Sequence, residues 1–251
     1  MLFSACLSAL AVLLAVAGAN AAFVSDKSLT LSADGGFTPR KLPRHHYAPI
    51  AFEGHAEFHG HHGAPPPALT QVVLSFDREG RLLNKGLPSC RAKEIEETSP
   101  EEARRRCSDA LIGGGHLRAV VSIANLQVPV HGPITLFNGP DEEGHATIVA
   151  HVRLSEPALQ TYVIVVPIQQ RRGNFRYKAT IDVPVIANGA GAITHGDIHI
   201  NRRYLLHGKK RSYISARCST NILRTRGRFS FVDGDLIEGS VEKYCFGFPP
   251  R

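Results

Sequence analysis

A long series of short, strand-like segments separated by turns constrains the fold of this chain more than any other feature. After residue 116, successive segments alternate apolar and polar side chains between Gly, Pro, Asn and Asp, among them "HATIVAHVRL", "TYVIVVPIQ" and "FRYKATIDVPVI". A period of two is typical of β-strands, whose successive side chains point to opposite faces. Because helices do not alternate with these strands, we expect a mainly β fold, either an antiparallel β-sandwich or a strongly curved, barrel-like sheet, with one short helix.

The helix is predicted in "TSPEEARRRCSDALIGGG". Ser99 and Glu102 have the S-x-x-E spacing of a capping box, and Pro100 suits the first helical position. The arginines at 104–106 suit the C-terminal end of the helix dipole. We expect the glycines at 113–115 to end the helix.

Two hairpins are predicted from turn residues between strand-like segments. The first is "TQVVLSFDREGRLLN", with a turn at residues 77–80 in which Gly80 supplies a positive φ. The second is "RRYLL-HGKK-RSYIS", which places basic side chains at its tip.

The histidine-rich stretch "HHYAPIAFEGHAEFHGHHG" is expected to contain the first strand of the domain. Alternate residues give it an apolar face, formed by Ile50, Phe52, Ala56 and Phe58. The opposite, solvent-facing side carries Glu53, His55, Glu57 and His59. The histidines are therefore expected to face water, where they gain positive charge below pH of about 6.5.

A metal-binding module is the alternative reading of the same stretch. Donors two residues apart on a strand lie about 6.6 Å from each other, a spacing that suits a chelating ladder for Zn or Cu. The hypothesis uses His55, His59 and His61. His195 and His199 offer the same chemistry, but nothing in the sequence places them near this strand.

The N-terminus predicts export. Residues 1–21 combine a short apolar run with the small-x-small sequence Ala19-Asn20-Ala21, as in a secretory signal peptide cleaved near Ala21. No later stretch approaches the roughly 20 apolar residues of a membrane span. We expect residues 22–49 to form an extended lead-in, residues 50–249 to form a single β-rich domain, and the protein to be secreted or extracytoplasmic.

Four cysteines follow the predicted cleavage site, an even number that suits disulfides in an oxidising compartment. They contain no C-x-x-C pair, so a zinc knuckle is not indicated. Of the three possible connectivities we expect the sequential one, Cys90 to Cys107 and Cys218 to Cys245, because each pair brackets one compact local unit.

The formal net charge of +7 predicts adhesion to polyanions. The basic run near the C-terminus offers a site for anionic cell-envelope polymers, and the candidate residues are Arg202, Arg203, Lys209, Lys210, Arg211 and Arg217. The alternative is a solvated edge hairpin whose lysines discourage strand-on-strand aggregation. The export signal argues against nucleic acid as the partner.

The sequence contains no G-x-S-x-G, H-E-x-x-H or glycine-rich phosphate loop and no cysteine placed as a nucleophile. A secreted glycoside hydrolase is the enzyme alternative, because its two carboxylates need no fixed spacing in the sequence. The chain lacks Trp, however, and large aromatic platforms are usual in sugar-binding clefts. We therefore expect a non-enzymatic protein without a cofactor, with a structural or binding role at the cell envelope or outside the cell.

Several segments resemble a family of secreted actinobacterial proteins of unknown function. They are "PPALTQVVLSFDREGRLLNKGLPSC", "CSDALIGGG", "RRYLLHGKKRSYISARC", "FSFVDG" and the final Cys245, within residues 38–246. The resemblance implies an exported, β-rich domain with two disulfides, and it implies no activity, cofactor or catalytic residue. The histidine-rich stretch is not among the shared segments.

Overall fold

The computed structural model describes residues 22–25, 29–157 and 159–245, and the predicted signal peptide at 1–21 lies outside these ranges. Most of the described chain is β-strand, as the alternation predicts. In chain order the strands are β1 (Ala22–Ser25), β2 (Leu29–Thr38), β3 (Ala48–Pro49), β4 (Ala51–Gly60), β5 (Leu69–Asp77), β6 (Gly80–Leu82), β7 (Leu111–Ile123), β8 (Leu126–Asn138), β9 (Ala146–Arg153), β10 (Thr161–Gln170), β11 (Phe175–Asp182), β12 (Gly191–Ile200), β13 (Arg203–Leu206), β14 (Lys209–Ser212), β15 (Ile214–Ala216), β16 (Ile222–Phe231) and β17 (Leu236–Tyr244). The helices are α1 (Pro100–Arg106) and the 3-10 turns His61–Gly63, Ala92–Glu94, Ser108–Ala110 and Ala187–Gly189.

Twelve strands form one long antiparallel sheet in the order β1-β2-β4-β12-β7-β8-β9-β10-β11-β5-β16-β17. Its two ends come together, because β17 lies against both β1 and β2. The sheet is therefore nearly closed and barrel-like. This confirms the mainly β prediction and selects the curved sheet from the two architectures that the sequence left open.

The remaining strands form two small sheets. β3, β15 and β6 make a three-stranded sheet, and β13 pairs with β14 in the predicted basic hairpin, with Arg203 opposite Ser212. The predicted hairpin at 77–80 is wrong, because β5 pairs with β11 and β16 whereas β6 pairs with β15. Gly80 does not have a positive φ. The turn instead moves the chain from the long sheet to the three-stranded one.

The helix begins as predicted, since the Ser99 hydroxyl accepts a hydrogen bond from the Glu102 backbone N–H. The Cys90–Cys107 disulfide holds it on the outer face of the sheet, where Ala103 packs with Phe137 of β8 and Val149 of β9. The prediction that the glycines end the helix is wrong. Residues 113–115 lie in β7, where a Cβ at Gly113 or Gly115 would collide with backbone oxygens of β12. Glycine at these positions allows β7 and β12 to approach closely.

Part of the expected lead-in, residues 22–49, is extended and belongs to the sheet. β2 pairs with β4 along its whole length, from Leu29 opposite Gly60 to Thr38 opposite Ala51. The segment after β2 is fixed by backbone hydrogen bonds from Leu42 N to Cys245 O and from Cys218 N to Pro43 O. The second disulfide forms in the expected sequential pairing and joins Cys218 and Cys245, the two residues to which this segment is hydrogen-bonded.

His151 generates a prediction about pH and stability. Its side chain is fully buried, its Nε2 donates to the Thr98 carbonyl at 3.1 Å, and its Nδ1 has no partner among the described residues. Burial lowers the pKa of His151, and the nearby Arg153 adds to the effect. Below pH of about 6.5 the His151 side chain is therefore protonated in the unfolded chain but stays neutral in the folded one. The free energy of unfolding consequently decreases as the pH is lowered.

We expect this loss between pH 7.5 and pH 5.0 to be smaller in a His151→Gln variant, by at most about 2 kcal/mol. Urea unfolding at the two pH values measures it. His199→Gln, at an exposed histidine of β12, is the matched control. An equal loss in the two variants would contradict the prediction.

Candidate binding cavity

The inward side chains of the long sheet surround a partly open cavity of about 440 Å³. Its wall is almost entirely apolar and comes from strands all around the barrel, for example Val72, Leu74, Ile148, Ile164, Val166 and Val241. A barrel of about eight strands is just filled by its own side chains, and wider ones leave internal space. Twelve strands therefore account for a cavity that the inward side chains do not fill.

One end of the cavity is aromatic and apolar. In the sheet register, Leu69 of β5 lies opposite Phe231 of β16, and Phe229 lies opposite Ile237 of β17. The Phe58 ring packs edge-to-face against Phe229 and Phe231, with ring centroids 5.6 Å and 6.0 Å apart. These rings make this end of the cavity an apolar pocket.

The opposite end carries the charged side chains of the lining. Along β5 the register runs from Leu69 to Phe76, which lies opposite Thr225, and along β17 it runs from Ile237 to Lys243. The charged residues that border the cavity therefore collect at this second end, and they are Asp34, Asp77, Arg81, Arg224 and Lys243. Arg81 and Arg224 are exposed, whereas Lys243 is buried. The rings of Phe37, Phe52 and Phe76 line this second end as well, so the cavity is apolar along its whole length and Lys243 is a buried cation at this end.

Lys243 and Asp34 form an ion pair at the seam where β17 meets β2. The Lys243 Nζ lies 2.7 Å from the Asp34 Oδ1, and Lys243 is only 8 % exposed. Burial alone raises the pKa of Asp34, but hydrogen bonds from Lys243 and the Gly35 backbone outweigh it and bring the pKa below its ordinary value. Asp34 is therefore ionised at neutral pH, and the pair joins the two ends of the sheet.

Tyr213 is a further polar group in the wall. Its side chain is fully buried and lines the cavity, and its hydroxyl has no hydrogen-bond partner among the described residues. Burial raises the pKa of Tyr213 well above its ordinary value, so the phenol is neutral. It is an available donor in a buried position.

Sequence reasoning missed this cavity. The apolar side of each strand was visible, but whether two such faces pack together or enclose a space depends on the curvature of the whole sheet. Lys243 gave a usable signal, because it continues the inward alternation of Ile237, Gly239 and Val241 along β17. A charge on the apolar side of a strand is uncommon and points to a special role.

The histidines lie on the outer face of the barrel, as expected. They alternate with carboxylates across three strands: His59 Nε2 is 3.5 Å from Glu57, Glu57 is 3.5 Å from His195 Nδ1, and His195 Nε2 is 3.4 Å from Asp197. Asp197 is in turn 3.6 Å from His116 Nδ1. The pairing of β4 with β12 thus brings His195 to this surface, which the sequence did not indicate.

The three residues of the metal hypothesis are not brought together as one set. His55 and His59 face outward from β4, and His61 lies in the next 3-10 turn, 3.3 Å from the Thr30 hydroxyl. Within the described ranges, one group of three His, Cys, Asp or Glu donors is close enough to share an ion, namely Cys90, Glu94 and Cys107. Its two sulfurs are joined in a disulfide, so they offer no thiolates. The hypothesis of a Zn or Cu module stays a prediction.

The six basic candidates separate into two groups. Arg203, Lys209, Lys210 and Arg211 are exposed on the β13–β14 hairpin. Arg202 instead donates to the Asp109 carbonyl at 3.2 Å. Arg217 donates to the buried carboxylate of Glu79 at 2.6 Å, and this hydrogen bond raises the pKa of Arg217.

Two features bear on where the protein works. The disulfides indicate an oxidising environment outside the cytoplasm. In the part of the chain that the structure describes, no helix has both the length and the apolar character needed to cross a membrane.

Comparison with known proteins returns no matching family model, curated protein or solved structure. The resemblance to secreted actinobacterial proteins therefore stays an expectation from the sequence alone. The cavity and its lining carry the functional argument.

The ion pair of Arg217 with Glu79 generates a prediction about stability. Glu79 is only 2 % exposed, and Arg217→Met would remove its close cation and leave the more distant, exposed Arg78 at 3.7 Å. We expect the free energy of unfolding to fall by about 3 kcal/mol, as for other broken buried pairs. Urea unfolding measures the change, and Arg203→Met on the exposed hairpin is the matched control. A similar small effect in both variants would show that the Arg217 pair is not structural.

Proposed function

We propose that this protein is a non-enzymatic, exported binding protein that encloses an apolar small molecule inside its barrel-like sheet. The cavity of about 440 Å³ is the observation that carries the proposal. Small-molecule sites are typically concave and mostly apolar, have volumes of roughly 300–1,000 Å³ and contain a few polar groups. The volume, the apolar wall and the charges at one end fit this description.

The packing of the interior supports the same proposal. Protein interiors are normally close-packed, with few voids larger than a water molecule. A space of about 440 Å³ between the inward side chains departs from that rule. A ligand that restores contacts with the wall gives a reason for such a space.

The contacts of the lining carboxylates favour binding over hydrolysis. Asp34 is paired with Lys243, and Asp77 accepts hydrogen bonds from the backbone N–H groups of Glu79 and Arg224. A glycoside hydrolase needs two carboxyl groups facing each other across its substrate. Both carboxylates of this lining are instead held in contacts that maintain the fold.

The first test uses a neutral apolar fluorophore, N-phenyl-1-naphthylamine, with the purified mature protein. We expect saturable binding with one site per chain. Ala150→Phe and Ala179→Leu add bulk to the cavity wall and should weaken binding at least tenfold. His199→Phe adds the same ring to the outer face and should have no effect.

Circular dichroism and urea unfolding identify any variant that fails to fold. Absence of saturable binding by the unaltered protein would contradict the proposed function. Unchanged affinity in both folded wall variants would do the same.

A second candidate function, contact with an anionic cell-envelope polymer, is favoured by the basic hairpin. Arg203, Lys209, Lys210 and Arg211 are exposed, and no carboxylate of the described residues lies within ion-pair distance of them. Their charge is therefore available to phosphates or uronates. The alternative remains a hairpin whose lysines keep an exposed strand edge soluble.

Retention on immobilised heparin or teichoic acid tests this second function. We expect retention to survive about 0.5 M salt, where simple charge attraction is screened. The combined change of Lys209, Lys210 and Arg211 to Gln should abolish that retention. The same change at Lys93, Arg171 and Arg172 removes equal charge from other exposed positions and should not. Elution at physiological salt, or equal loss in both variants, would leave only a general charge effect.

A further inference from the structure

We propose that the occupant of the cavity is a single-chain amphiphile, with its carboxylate at Lys243 and Arg81 and its alkyl chain reaching the aromatic end. This inference rests on the proposed function and names the class of ligand. The position of Lys243 carries it, because this buried cation borders the cavity at one end and the rings of Phe58 and Phe229 line the other.

Lys243 is the central observation. Strand alternation turns it inward with Ile237, Gly239 and Val241, so that an ammonium group borders an apolar space. Burying a cation is costly unless it is paired and hydrogen-bonded. Within the described ranges, the carboxylate at ion-pair distance from Nζ is that of Asp34. An ammonium group has three N–H donors, so Lys243 retains donors for a second acceptor.

Arg81 supplies a second cation at the same end. Its guanidinium lies 5.5 Å from the centre of the Tyr47 ring, and no described carboxylate is within ion-pair distance of it. Arg224, by contrast, is occupied by Glu242 at 2.7 Å. Among the described arginines that border the cavity, Arg81 is the one without a carboxylate at ion-pair distance. Together Lys243 and Arg81 complement an anionic head group and disfavour a cationic one.

The length of the cavity suits an alkyl chain. From Leu69, opposite Phe231, to Phe76, opposite Thr225, β5 extends roughly 23 Å at about 3.3 Å per residue. Inward side chains along this path, such as Val72 and Leu74, offer an apolar wall throughout. Each methylene buried there should improve affinity about fourfold. A long, unbranched tail uses this path better than a compact molecule does.

Competition against N-phenyl-1-naphthylamine tests the inference with dodecanoate, dodecanol and dodecyltrimethylammonium, which share one chain and differ in head group. We expect dodecanoate to bind the mature protein at least tenfold more tightly than dodecanol, and the cationic detergent to bind most weakly. Lys243→Met should remove the preference for dodecanoate, measured as the ratio of its affinity to that for dodecanol. Lys243→Arg should retain the preference.

Two further variants keep the test valid if Lys243→Met does not fold. Asp34→Asn/Lys243→Met removes both charges of the seam pair, and Arg81→Met changes an exposed cation at the same end. Each should lower the preference for dodecanoate, whereas Lys209→Met on the distant hairpin should not.

The outcomes separate the two proposals. Equal affinity for dodecanoate and dodecanol, or a preference that survives in every folded Lys243 and Arg81 variant, would overturn the head-group inference and leave apolar binding intact. Displacement of the fluorophore by none of the three compounds would overturn the head-group inference too. If the fluorophore itself does not bind, the proposed function fails.

Discussion

Closure of one long sheet is the constraint on which the rest of this structure depends. β1 and β17 are the ends of the hydrogen-bonded order, and β17 lies against β1 and β2. Two kinds of contact hold the seam together at one end of the barrel. They are the ion pair of Lys243 with Asp34 and the backbone hydrogen bond from Leu42 N to Cys245 O, whose cysteine is fixed by the disulfide to Cys218. A side-chain ion pair and this hydrogen bond thus take the place of the backbone ladder that joins the other strands.

The interior follows from this closure. In a sheet of twelve strands bent into a barrel, the inward faces meet across the interior only in places, as where Phe58 contacts Phe229, so a space remains between them. The residues on the outer face differ from one side of the barrel to the other. The disulfide-held helix covers β8 and β9 with an apolar cluster, whereas β4, β12 and β7 show histidines and carboxylates to water. Apolar side chains therefore point inward all around the sheet, and on the outer face they form a buried cluster under the helix.

Local signals in the sequence predicted local structure well. The two faces of β4, the helix cap at Ser99, the basic hairpin and the pairing of the cysteines each depend on residues close together in the chain. Partners distant in sequence were not predictable in the same way. The sequence predicted that β5 and β6 form a hairpin, but they belong to different sheets. The approach of His195 to Glu57 depends on the register of β12 against β4. The cavity depends on all twelve strands at once, so no single segment could indicate it.

Lys243 connects the closure of the sheet with the chemistry of the interior. If the seam had only a structural role, apolar side chains would be enough to join it, because they often stabilise a protein as much as a buried ion pair does, or more. A charged pair at this position is therefore poorly explained by stability alone. It is explained if one member also faces a ligand, since Lys243 is held in place by Asp34 and still borders the cavity. The interaction that closes the barrel then also determines which end of an amphiphile it holds.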